Sequence, residues 1–198
     1  VRGEEYYKFA ADKDIPTPEH NCTLPFTRNV VGPMDYTPVG FSTPVGYSAP
    51  RRKTSYCHEL ALPIIYESGW TCVSDSPEEI LGSPAKELMK QYTATWDDIH
   101  YIDGYPGEYI CLARRKGNDW HVACISSGPA RWSVLVPFTF IKPGTYEIDY
   151  YRDPTPWDSK QNSGKKVVMD KIKIQAGQTI RFPVSANGGF AFIIKDSF

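Results

Sequence analysis

The sequence predicts two modules, a helical, Pro-rich segment followed by an antiparallel β-sandwich, and three observations carry the prediction. From Glu4 to Lys90 helical stretches alternate with Pro-rich loops, whereas from Tyr101 onward the chain runs as short alternating strands and turns. About seven such strands, separated by turns at this spacing, suit a sandwich. The length of 198 residues accommodates one large or two small domains, each with its own core.

In chain order, the first strong helix signal covers residues 55–70, where Leu60, Ile64 and Glu67 recur at helical spacing. Pro63 lies inside this stretch and removes one backbone hydrogen bond, which predicts a kink. Ser76-Pro77-Glu78-Glu79 is a helix start in which Ser76 caps, Pro77 occupies the first turn and Glu79 completes a capping box. Ser83-Pro84 repeats the device, giving a pair of helices that bridges the two modules.

Residues 107–115 and 119–126 read as a hairpin around Gly117-Asn118, a two-residue loop suited to positive φ. With Lys116 facing Asp119, counting outward sets Arg115 opposite Trp120 and Cys111 opposite Cys124. That last pair falls at a non-hydrogen-bonded site, where Cα atoms lie about 4.5 Å apart and a disulfide is geometrically open. Two buried thiols packing as small hydrophobes is the favoured reading of the pair. Over 131–140, Trp132, Val134, Val136, Phe138 and Phe140 alternate onto one face, as in a half-buried strand. Lys142-Pro143-Gly144 then turns the chain into a strand at 145–151, and the polar stretch 153–165 reads as a long surface loop. Strands at 167–174, 179–184 and 190–195 complete the series.

Charge narrows the function classes. With 22 basic and 23 acidic side chains, the net charge of −1 provides no broad positive field to collect nucleic acid or anionic lipid. A neutral, sugar-like substrate is accommodated more easily, and 17 prolines with 14% aromatic residues fit a loop-rich protein that stacks rings on flat apolar faces. No apolar run approaches the roughly 20 residues that cross a bilayer, so no membrane span is expected. The start at Val1 lacks an initiator Met and reads as cut from a longer chain, which would place any export signal upstream. Five cysteines match no C-x-x-C zinc spacing.

Few motifs carry chemistry by themselves. The sequence contains no G-x-S-x-G elbow, no H-E-x-x-H and no Gly-rich phosphate loop. Adjacent residues on a helix point about 100° apart, so His58-Glu59 reads as part of a solvated helix face rather than a metal pair. Glu4 and Glu5 follow a glycine at a loop-to-helix junction, where carboxylates can bind a hard cation or protonate a leaving group. The same acids can equally be helix N-terminal residues stabilised by the macrodipole.

Several longer stretches are more specific. Val1-Arg2-Gly3-Glu4-Glu5-Tyr6, the run from Cys22 to Arg28, and Gly32-Pro33-Met34-Asp35-Tyr36-Thr37-Pro38 resemble the end of the catalytic barrel in glycoside hydrolase family 97. His58-Glu59-Leu60-Ala61, Tyr66-Glu67-Ser68 and Asp75-Ser76-Pro77 resemble that family's last barrel helix. Trp96-Asp97, the run from Ile102 to Tyr109, and Ala113-Arg114-Arg115-Lys116-Gly117 resemble the opening of its C-terminal β-sandwich. The resemblance spans almost the whole chain. It implies an α/β plus all-β architecture, with residues 1–90 as the C-terminal remnant of a (β/α)8 barrel and 91–198 as an antiparallel β-sandwich.

It further implies a calcium-dependent, exo-acting glycosidase of periplasmic or secreted location, acting on terminal α-glucosides or α-galactosides. The family's motif Glu-Gly-Val-x-Gly-x-Glu ends on the general acid, and that position is Glu5 here, which by the same carry-over joins the calcium shell. Asp35 and Tyr36 fall near the C-terminal end of the final barrel strand, the face where such barrels place their sites, and are the candidate substrate-binding residues. Glu4 is acidic where the family is not, and the run 39–53 departs from the usual loop, so substrate preference is not carried across it. A barrel takes about 250 residues, so the catalytic partner of Glu5 and the other calcium ligands are expected in a missing N-terminal part of the same protein, and this chain alone is expected to be inactive. The rival class is a non-catalytic module that binds glycan through Trp120, Trp132 or Trp157, of which Trp157, in the polar stretch, is the natural stacking platform.

Overall fold

A six-stranded antiparallel sheet forms the centre of the protein, with a two-stranded sheet on one face and helices on the other. The computed structural model describes residues 16–37, 52–73, 75–128, 132–161 and 166–196. The strands are β1 Asp98–Tyr105, β2 Tyr109–Lys116, β3 Asp119–Ser126, β4 Trp132–Pro137, β5 Thr145–Arg152, β6 Val168–Gln175, β7 Thr179–Val184 and β8 Gly189–Ile194. Their order is β1-β2-β3-β8-β5-β6 in the large sheet and β4-β7 in the small one. The helices are α1 Pro18–Thr23, α2 Tyr56–Ile65, α3 Pro77–Gly82, α4 Lys86–Met89 and α5 Pro156–Gln161.

The pleat sorts the side chains of the large sheet into two cores. Cys111 and Ala113 on β2, Val122 and Cys124 on β3, and Phe190, Phe192 and Ile194 on β8 face the small sheet, where they meet Val134, Val136, Phe138 and Phe182. The alternate residues Ile110, Leu112, Ala123, Ile125, Ala191 and Ile193 face the helices and pack with Leu60, Ala61 and Ile64 of α2. Every residue of β8 is therefore buried. This explains why its sequence is a continuous apolar run rather than an alternation.

The hairpin adopts the expected register: Lys116 pairs with Asp119, Arg115 with Trp120, and Cys111 with Cys124. Gly117 takes φ +60 in the turn, a conformation that a side chain would disfavour. Cys111 and Cys124 are buried free thiols, and burial pushes the Cys124 thiol up. The alternating run beginning at Trp132 buries Val134, Val136 and Phe138 as expected.

Several expectations are corrected. There are eight strands among the described residues rather than seven. The additional one, β1, is a half-exposed edge strand whose register shifts between Tyr101 and Asp103, so it never presents a clean apolar alternation. The 55–70 helix stops at Ile65, because Tyr66 already has extended backbone angles, and Glu67 lies outside it. Ser76 caps α3 by accepting the Glu79 N–H. Ser83 instead accepts the Ala85 N–H, and α4 starts later, at Lys86, without a side-chain cap. The stretch after β5 is not purely a surface loop, since it opens on buried Asp153 and contains α5.

The expected barrel remnant is not evident as a barrel among the described residues. What they contain is one parallel pairing: Met34 N–H donates to Glu67 O at 2.9 Å, Tyr36 N–H to Trp70 O at 3.4 Å, and Cys72 N–H to Tyr36 O at 3.3 Å. α2 lies between the two paired segments in sequence.

Gly189 sets how closely α2 approaches the sheet. A Cβ there would lie 2.5 Å from Cys124 O, 3.0 Å from Cys57 O and 3.1 Å from the His58 Cα, all of them backbone atoms. Gly189→Ala is expected to cost about 1–3 kcal/mol through overpacking, read as a lower urea midpoint. An unchanged midpoint would show that the helix can be displaced freely.

Candidate functional site at the helix–sandwich junction

Polar groups converge where the first turn of α2 meets the start of β8. Ser55 caps the helix by accepting the His58 N–H at 3.0 Å, and its own N–H donates to Asn187 O at 3.0 Å. Asp153, only 7% exposed, accepts from Ser55 Oγ at 2.8 Å, from Cys57 N–H at 3.2 Å and from Gly189 N–H at 3.1 Å. One carboxylate from the end of β5 thus satisfies the helix N-terminus and the first strand residue of β8 together, at the end of the macrodipole that favours negative charge. Its burial raises the carboxyl pKa, an effect opposed by these same hydrogen bonds.

The opposite end of α2 meets a cation. Arg114 on β2 is buried and donates from Nη2 to Ile65 O at 3.1 Å, the carbonyl of the last helical residue. Trp96 packs beside it, with the guanidinium 5.9 Å from the indole centroid and His121 edge-on to the same ring at 5.0 Å. Tyr92 adds a hydroxyl bond to Leu60 O at 2.6 Å. The sandwich therefore holds α2 by an anion at its positive end and a cation at its negative end.

His58 and Glu59 are buried rather than solvated, 0% and 4% exposed. The reason is that α2 is apolar nearly all round: the sheet takes one side, while α1 and the parallel segments cover others. Asn21 Nδ2 lies 3.1 Å from His58 Nε2, and the other ring nitrogen, Nδ1, is buried without a hydrogen-bond partner. An amide N–H donating to Nε2 leaves the proton of the neutral ring on Nδ1. Glu59 accepts from the Thr54 hydroxyl. Both are structural side chains.

Burial pushes His58 down to about 3 and His121 down to about 4, from an ordinary 6.5. The unfolded chain takes up these protons below pH 6.5 while the folded chain does not. The stability both groups contribute is therefore full above that value and falls as pH drops towards 4 and then 3. Each adds a slope of about 1.4 kcal/mol per pH unit within its window. Asp153 acts with the opposite sign, its raised carboxyl pKa favouring the folded state at low pH and losing that contribution as pH rises through it. His58→Gln is expected to remove about half of the slope between pH 6.5 and 4 in urea titrations, and an unaltered slope would contradict burial of the neutral ring.

Of the site residues singled out from the sequence, Asp35 and Tyr36 lie among the described residues. Glu4 and Glu5 lie outside the described residues, as does most of the 39–53 run. Asp35 is exposed at the parallel segment, whereas Tyr36 is 3% exposed with its ring edge-on to Tyr66 at 4.6 Å. Among the described residues, no three His, Cys, Asp or Glu side chains converge as a metal site, so these residues do not by themselves build a calcium shell. Trp120 and Trp132 are half-buried, Trp132 donating to Ser126 Oγ at 2.9 Å, and Trp157 stands 68% exposed on α5.

Asp153 was not recognisable as a site residue from composition, because its neighbourhood is polar and turn-rich. The alternation of β5 holds the missing signal. Tyr146, Ile148 and Tyr150 face the small sheet and Tyr151 faces the helices, so two residues further on Asp153 must face α2.

Comparison with known proteins agrees with this architecture. Residues 95–195 match the family described as Glycosyl-hydrolase 97 C-terminal, oligomerisation. The chain is 34% identical over 194 residues to a "Probable retaining alpha-galactosidase" of Streptomyces bingchenggensis, covering 98% of this chain and 27% of that protein. It is 28% identical over 202 residues to a retaining alpha-galactosidase of Bacteroides thetaiotaomicron, covering 98% and 30%. Among solved structures, a Glycoside Hydrolase Family 97 enzyme from a Pseudoalteromonas species, in complex with acarbose, superposes with a TM-score of 0.81 at 26% identity, over 98% of this chain and 30% of that one. The chain thus spans less than a third of the length of these relatives. No helix among the described residues is long and apolar enough to cross a membrane.

Proposed function

Because this chain belongs to glycoside hydrolase family 97, we propose that it serves as the C-terminal part of a calcium-dependent glycosidase that removes terminal α-linked sugars, with α-galactosides as the first candidates. The observation that carries the proposal is the double clamp on α2: a sandwich that invests a buried carboxylate and a buried guanidinium in one helix is built to hold that helix still. Rigid support of this kind is what a catalytic constellation needs, since productive geometry tolerates errors well below an ångström. In the complete active site Glu5 protonates the glycosidic oxygen as the bond to the sugar breaks. A second carboxylate, contributed from outside this chain, acts on the opposite side of the sugar.

Bound calcium would supply a fixed positive charge to the site, and Glu5 would be one of the residues that hold it. Asp35, being exposed, is the side chain of its pair that accepts a sugar hydroxyl, while buried Tyr36 positions the segment. The names of the two curated relatives support a retaining outcome, in which the partner carboxylate attacks the sugar as nucleophile. Export to the periplasm or beyond and assembly through the sandwich complete the proposal, the latter supported by the family's description.

The test is a graft in which this chain replaces the matching region of the Bacteroides thetaiotaomicron α-galactosidase, assayed on nitrophenyl α-galactoside with calcium. Turnover by the graft and none by the isolated chain is the expected pattern. Turnover by the isolated chain, or a folded graft that leaves the substrate intact, would contradict it.

A further inference from the structure

A cleft opens on the small-sheet side of the large sheet, between the β2-β3 turn and the segment joining β4 to β5. Its volume is ≈ 280 Å³, at the small end of ligand pockets, which run from about 300 Å³ upward. Trp120 and Phe140, ring centroids 5.0 Å apart and both half-buried, form apolar walls. Buried Tyr146 and Ile194 lie beneath them. Arg115, Asn118, Lys142 and Asp196 supply polar groups around the opening.

Arg115, Lys142 and Asp196 are held in place before any ligand arrives. Arg115 Nη1 donates to Gly117 O at 2.9 Å, and its Nη2 lies 3.7 Å from Asp98 Oδ2. Lys142 Nζ pairs with Asp196 Oδ2 at 2.7 Å, and the Asp196 side chain is only 8% exposed. The Asp196 N–H is itself fixed, donating to Asp119 Oδ1 at 3.2 Å. Each cation has an acid partner, so the opening carries little net charge and disfavours an anionic ligand over a neutral one. Guanidinium, ammonium, amide and carboxylate groups around an indole match the surface of a pyranose, which has hydroxyls that both donate and accept and a C–H face that packs on aromatic rings.

We infer that this cleft is a saccharide-binding site on the sandwich, sized for one or two sugar rings. The choice of a neutral saccharide rests on the glycosidase proposal, while the location rests on the geometry alone. It also moves the aromatic platform from Trp157, exposed on α5, to Trp120, which has polar neighbours around it.

The test is a titration of the 198-residue chain with methyl α-galactoside and with maltose, followed by saturation-transfer NMR. Saturable binding at millimolar sugar is expected, with Trp120→Ala weakening it at least tenfold. Because Trp120 also packs against the core, Asn118→Ala at the exposed turn serves as the second variant. It should weaken binding severalfold at an unchanged melting temperature. No saturable binding, or binding that neither variant alters, overturns the site. The grafted enzyme's turnover is read separately, so loss of this cleft and failure of the glycosidase proposal give different results.

Discussion

Glu5→Gln in the grafted α-galactosidase is expected to lower kcat by about 10²–10⁴-fold, the range that a positioned general acid contributes. Gln preserves size and a hydrogen-bonding carbonyl but has no proton to give to the leaving oxygen. The loss should therefore depend on the leaving group. Natural galactosides, whose departing alkoxides need protonation, lose the full factor, while dinitrophenyl galactoside, which departs as a stable phenolate, loses much less. The basic limb of the pH profile, which reports loss of the acid's proton, should also disappear. Retention of full turnover on an unactivated galactoside would remove Glu5 from the proton-donor role. A uniform loss on all substrates would leave Glu5 a role in binding or in the calcium shell and remove it from proton donation.

The largest stability effect is expected for Asp153→Ala. The substitution strands three donors, the Ser55 hydroxyl and the N–H groups of Cys57 and Gly189, in a site where the carboxylate was their shared partner. A single buried donor left unpaired costs about 1–3 kcal/mol, so a loss of about 3 kcal/mol or more follows. At about 2–4 °C per kcal/mol for a chain of this size, the melting temperature should fall by about 6–12 °C. Asp153→Asn keeps one acceptor and should recover part of the loss. Leu at Arg114, by comparison, removes one bond to Ile65 O and leaves the packing beside Trp96 largely filled, so its effect should be smaller. An Asp153→Ala protein as stable as the parent would mean that the N-terminal clamp is incidental.

The parts of this protein that were legible in the sequence are those governed by local rules. The β2-β3 register follows from one favoured turn at Gly117-Asn118, and the burial along β4 follows from strict alternation at Trp132, Val134 and Val136. Ser76 reveals its cap by its spacing to Glu79. The rest depends on contacts between elements distant in sequence. His58 and Glu59 read as polar until the sheet is placed over them, because an apolar stripe on α2 says nothing of what covers the other face. Asp153 sits 98 residues from Ser55, and no local pattern announces such a bond. Gly189 looks like one more turn glycine, and only the approach of Cys57 and His58 shows why a side chain is excluded there. Strand β1 escaped because an edge strand with a register shift has no periodicity to detect. The candidate catalytic acid was legible only through family resemblance, since two acids after a glycine carry no signature of their own.

The account depends most on α2 being part of the sandwich's own cooperative unit, fixed at both ends, rather than a helix that merely rests on it. Native-state amide hydrogen exchange measures this directly, because amides in one cooperative unit open with the same free energy. The expected result is that the N–H groups of Leu60, Ala61, Leu62, Ile64 and Ile65 exchange with the same opening free energy as those of β3 and β8, and report the same denaturant dependence. If α2 instead exchanges through a much cheaper opening while the strands stay protected, the sandwich does not brace the helix and its proposed role in supporting the catalytic domain fails.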